Sequence, residues 1–163
     1  MTEEDLDPYT VAAFLKKTFR EMGEPLCTFK LYGHFQKLGE TKNQQKFIEE
    51  ARNLVCKLPP VNRDTFRSLL HFMKRITLYS ADNKMTDNNL ARVIAPNLFR
   101  QFEITQTDII YAGIFVDVLT RMIRFAEEIC QTDRDSVFQM HEEIKGEPMV
   151  EGAKEELLFA ESA

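Results

Sequence analysis

From Asp7 to Ile129 the apolar side chains return every third or fourth residue, and no stretch alternates with period two long enough to make a half-buried strand. Each such stripe must be covered by another helix, so the pattern predicts an all-α bundle. Val11, Phe14, Leu15, Phe19 and Met22 define a first helix, opened by Asp7-Pro8 and stopped by Gly23-Glu24-Pro25. A short amphipathic piece with Phe29, Leu31, Tyr32 and Phe35 follows. Phe47, Ala51, Leu54, Val55 and Leu58 form the next stripe, behind the capping-box sequence Thr41 to Gln44 and before Pro59-Pro60. Asn62 is placed to cap a long helix with Phe66, Leu69, Leu70, Met73, Ile76 and Leu78. Ser80 to Lys84 reads as a loop. Thr86 caps a short helix bearing Leu90, Val93 and Ile94 that should end before Pro96, and Thr107 or Asp108 opens a last one reaching Ile129. The expectation is about six helices.

At 163 residues the chain is long enough for one domain with a real core. Its net charge of −5 is unevenly spread: residues 131 to 163 hold nine acids against three bases, a local −6, which leaves about +1 for residues 1 to 130. That division predicts a domain over 1–130 and an acidic, flexible tail over 131–163. A near-neutral domain lacks the basic field of a nucleic-acid binder. Cys27, Cys56 and Cys130 are widely spaced, with neither a C-x-x-C pair nor a histidine at zinc-ligand spacing, so no disulfide framework and no metal are expected. The acidic start and the lack of any long apolar run suit a cytoplasmic protein without a transmembrane segment.

No nucleotide-binding glycine loop, metalloprotease helix or nucleophile elbow occurs, so intrinsic catalysis has no visible seat and no cofactor is implied. His34, His71 and His141 fall in separate segments and read as packing or surface residues. Two segments stand out. In Leu15-Lys16-Lys17-Thr18-Phe19-Arg20-Glu21-Met22-Gly23-Glu24-Pro25-Leu26, Lys16 and Arg20 lie one turn apart on one helix face. Asn83-Lys84-Met85-Thr86-Asp87-Asn88-Asn89-Leu90-Ala91 leads to Ala95-Pro96-Asn97-Leu98. Taken singly, the first is most often a solvated face and the second a helix cap.

In this order and separation the two segments resemble the Rho-GAP family, and Leu58-Pro59, Asn62 and Leu69-Leu70-His71-Phe72 between them resemble its middle. The likeness covers about residues 7 to 129. It implies a Rho-GAP-like helical bundle and a signalling role in which a Rho- or Rac-type small GTPase meets Lys16, Arg20, Asn89 and Asn97. Activators of this kind hydrolyse nothing themselves; they lend the GTPase an arginine finger that neutralises charge developing on the phosphates. In the family the finger lies in a glycine-any-phenylalanine-arginine loop upstream of the first helix here, and residues 1 to 15 contain neither arginine nor glycine. Gly23 stands where proline is usual, and Ala95 where glycine is common. The resemblance therefore implies a domain truncated at its N-terminus relative to the family, with weak or absent stimulation of GTP hydrolysis. It also implies an apolar face around Val11, Phe14 and Leu15 open to self-association. The alternative expectation is a catalytically silent helical interaction scaffold.

Overall fold

The computed structural model describes residues 7–131, and these are helical throughout apart from turns and short connections. Residues 132–163, which hold all but the first position of the expected acidic tail, lie outside the described residues. Eight helices occur among the described residues: α1 (Pro8–Glu21), α2 (Tyr32–Leu38), α3 (Gln44–Lys57), α4 (Pro60–Thr77), α5 (Ser80–Asn83), α6 (Asp87–Leu98), α7 (Gln106–Arg124) and α8 (Ala126–Cys130). Six of them answer the expected stripes. The two short ones, α5 and α8, are a turn inside the expected polar loop and the far end of the expected last helix.

Local chemistry explains the boundaries. The Asp7 carboxylate accepts from the Thr10 amide at 3.2 Å, and Pro8 occupies the first helical position, where its missing N–H costs nothing. Asn43 caps α3 by accepting from Lys46 N, and the Thr86 hydroxyl accepts from Asn89 N at the head of α6. Three boundaries differ from the sequence expectation. α4 starts at Pro60, and Asn62, one turn in, donates to the carbonyl of Leu26 rather than capping. α6 continues through Pro96 to Leu98, since a proline this close to a helix end removes a single ladder bond from the final turn. α7 begins at Gln106 with Thr105 as its N-cap; Asp108 is the third helical residue, and its carboxylate reaches back to Thr105 N and Oγ1 at 2.7 and 2.8 Å.

The core lies between α2, α3, α4, α6, α7 and α8, with Phe35, Phe47 and Phe66 fully buried. An aromatic chain crosses it: Phe66 meets Phe35 at 6.4 Å, Phe35 meets Phe99 at 5.2 Å, Phe99 stacks on Phe115 at 5.0 Å, and Phe115 meets Tyr32 at 4.6 Å. Such pairs contribute about 0.5–1.5 kcal/mol each beyond the area they bury. Arg121 reinforces the α3 side, its guanidinium 3.7 Å from the centre of the Phe47 ring and donating to Thr41 O at 2.7 Å.

α1 is attached differently. It packs against α6, and Phe19 is its one buried residue, with Leu15 and Met22 partly covered. Val11 and Phe14, in its first half, remain 47% and 70% exposed.

Candidate functional site

The connection from α1 to α2 determines how firmly α1 is held. Thr28 adopts the left-handed conformation at φ 61°, which closes a tight turn in which Thr28 N donates to Pro25 O. The Thr28 hydroxyl then accepts from Leu31 N at the start of α2. Three ties from other elements fasten the segment. Asn62 of α4 donates to Leu26 O, Cys27 N donates to Leu98 O at the end of α6, and Arg100 donates to Met22 O. The segment that follows α1 is thus tied to α4 and to the end of α6, the helix against which α1 packs. Gly23 has open space where a Cβ would stand, and Ala95 is buried in α6.

On α1 the structure presents Lys16 half-buried and Arg20 exposed on one face, and among the described residues no ion pair engages either. Lys17, on the neighbouring face, is offset by Glu21 at 3.9 Å. Asn89 is exposed in the first turn of α6. Its amide donates to Lys84 O at 2.8 Å, closing the left-handed turn that Lys84 makes at φ 58°. Asn97, near the other end of α6, is only 8% exposed and donates to Val93 O. The four candidates therefore lie on two adjacent helices: three reach solvent, while Asn97 is mostly enclosed. Tyr9, unassigned on sequence grounds, shares the face of Lys16 and Arg20; its position seven residues before Lys16 was the available signal.

Other polar groups support the framework. Asp87, at the head of α6, meets Arg124 of α7 at 2.9 Å, and Asn88 bridges Arg92 and Thr120. Tyr32 donates to Asp108 at 2.7 Å. That bond, followed by those from Thr105, holds the Asp108 carboxyl below its ordinary range, while burial and the same bond raise the Tyr32 phenol, which remains the donor. Burial raises the Cys27 thiol and pushes Cys130 up to about 11, which favours the protonated thiol in both. Among the described residues no three His, Cys, Asp or Glu side chains converge as a metal site, and no helix is long and apolar enough to cross a membrane.

Fold and face together are those of an all-helical module carrying a basic helix ridge. The RhoGAP domain model matches residues 1–103. The chain belongs to the RhoGAP domain family. It is 38% identical over 96 residues to human Rho GTPase-activating protein 44, covering 59% of this chain and 12% of that protein. It is 36% identical over 131 residues to Rho GTPase-activating protein gacN of Dictyostelium discoideum, covering 78% and 21%. The chain therefore spans a small part of these relatives. Among solved structures, human Rho GTPase activating protein 15 aligns with a TM-score of 0.73 at 27% identity, covering 80% of this chain and 64% of that one. The BH domain from Graf, the GTPase regulator associated with focal adhesion kinase, aligns at 0.74 and 26%, covering 81% and 70%.

Proposed function

We propose that these residues dock on a Rho- or Rac-type small GTPase and regulate its GTP hydrolysis in cytoplasmic signalling, with Lys16, Arg20, Asn89 and Asn97 as the contact set. The observation that carries this reading is the pair of cations one turn apart on α1, free of intrachain ion pairs among the described residues, on a helix whose far end is tied to α6. Two like cations one turn apart on one helix face attract an acidic partner surface. In this reading Lys16 and Arg20 supply the charge and exposed Asn89 supplies hydrogen bonds from the adjacent helix. Asn97 contributes chiefly by holding the last turn of α6 beside Pro96.

Chemistry on the GTPase needs charge neutralisation at the transferring phosphoryl group, the work of an arginine finger, which contributes a factor of about 10³ to 10⁵. In this reading the lack of arginine in residues 1 to 15 makes acceleration by these 163 residues weak or absent, while the docking contacts remain. The test is single-turnover hydrolysis by a GTP-loaded Rac-type protein with and without the chain. Stimulation near the top of that range contradicts weak acceleration. The contact set is tested separately, by affinity and thermal midpoint together. Lys16→Ala should lower affinity with the midpoint nearly unchanged, because surface changes usually cost under about 0.5 kcal/mol. A variant that melts early yet binds as before would make Lys16 structural.

A further inference from the structure

α1 carries a further exposed group on the face of its two cations. Tyr9, Ala13, Lys16 and Arg20 stand at i, i+4, i+7 and i+11, a ridge about 16 Å long at 1.5 Å per residue. Tyr9 is 84% exposed at one end and Arg20 lies at the other. Phe14 is also largely exposed, but its position in the helical repeat turns it more than a quarter of a revolution away from this ridge. The turn beneath Tyr9 is firmly built: Thr10 N and Oγ1 both donate to the Asp7 carboxylate, Val11 N donates to Asp7 O, and Pro8 presets the backbone. Ala13, between Tyr9 and the cations, lets a partner approach the helix backbone closely.

We propose that Tyr9 is the apolar anchor of the GTPase-docking face, filling a pocket on the same partner surface whose acidic spot meets Lys16 and Arg20. This rests on the docking reading above and extends its contact set by two turns of helix. Tyrosine suits this role because it brings a large amphipathic area at the ordering cost of two side-chain torsions, and it is enriched among the few residues that dominate interface energies. An aromatic ring on the same helix face as a pair of cations suits a partner with an acidic patch beside an apolar hollow, and continuity with Lys16 and Arg20 makes it the same GTPase.

The experiment titrates the full 163-residue chain against a Rac-type GTPase loaded with a non-hydrolysable GTP analogue, using wild type, Tyr9→Ala, Tyr9→Phe, Phe14→Ala and Lys16→Ala, with a thermal midpoint for each. Tyr9→Ala should lose about tenfold in affinity, in the range of truncated anchor residues, at an unchanged midpoint. Tyr9→Phe should keep most of the binding, and Phe14→Ala all of it. Wild-type affinity in Tyr9→Ala beside a loss in Lys16→Ala overturns the anchor and leaves the docking face standing. Equal losses in Phe14→Ala and Tyr9→Ala, or a midpoint in Tyr9→Ala lower by several degrees, also overturn it. If wild type itself fails to bind, the docking reading falls and the anchor falls with it.

Discussion

Asp108 shows how one side chain secures both a helix end and a tertiary contact. Its carboxylate accepts from Thr105 N and Oγ1 at the head of α7 and from the phenol of Tyr32 on α2. These bonds favour the charged form, so the folded-state value is lower than the unfolded one of about 3.9. The contribution is therefore fully present above the unfolded value and is lost as pH falls through the folded one. Asp108→Asn keeps an acceptor but loses the charge, so it should cost less than about 1 kcal/mol near neutrality, and the gap in thermal midpoint between wild type and variant should narrow as pH falls. Gly39 gives a second test. A Cβ there would stand 2.5 Å from Ile114 Cγ2 and 3.1 Å from Gln36 O, so Gly39→Ala should destabilise by about 1–3 kcal/mol in a denaturant titration, as overpacking does. The sequence placed Asp108 at the head of the last helix but showed neither its tertiary partner nor the role of Gly39. The T-x-x-D spacing at Thr105 was present, but the partner in Tyr32 is 76 residues away, and nothing local marks Gly39 as lying against α7.

Among the elements, α6 joins the frame to the candidate face. Thr86 caps it, Asp87 ties its first turn to Arg124, and Asn89 closes the preceding turn on Lys84. Thr86→Ala should cost about 1 kcal/mol of stability, and native-state hydrogen exchange should quicken at the Asn89 amide, whose acceptor is removed. An unchanged exchange rate would mean the cap is idle. The ion pair to Arg124 is more than half exposed on the arginine side, so Arg124→Ala should cost less than about 1 kcal/mol. Helix positions were largely legible because apolar spacing and N-caps act within a turn, as at Asp7, Asn43 and Thr86. The end of α6 and the break between α7 and α8 were not. Pro96 normally signals a stop, yet tertiary packing of Asn97 and Leu98 carries the helix past it, and no glycine or proline marks the break at Phe125.

Across the molecule as a whole, the bundle holds α1 by one end, leaving a basic ridge and an apolar flank toward solvent. Lys16, Arg20 and Asn89 could be singled out from the sequence because two short segments in fixed order carried a family resemblance. Their surroundings could not: the ties of Met22, Leu26 and Cys27 to Arg100, Asn62 and Leu98 join residues 36 to 78 positions apart, beyond the reach of periodicity. The enclosure of Asn97, only 8% exposed on α6, was likewise not legible from its neighbours in the sequence. Everything proposed for the α1 ridge depends on this bundle recognising a Rho-type GTPase in its GTP-bound form. An equilibrium titration of the chain against one Rho or Rac protein, prepared both GDP-bound and loaded with a non-hydrolysable GTP analogue, decides that point. Binding should be tighter to the triphosphate state, and Arg20→Ala should abolish the preference; equal affinity for both states, or none for either, would overturn the docking reading.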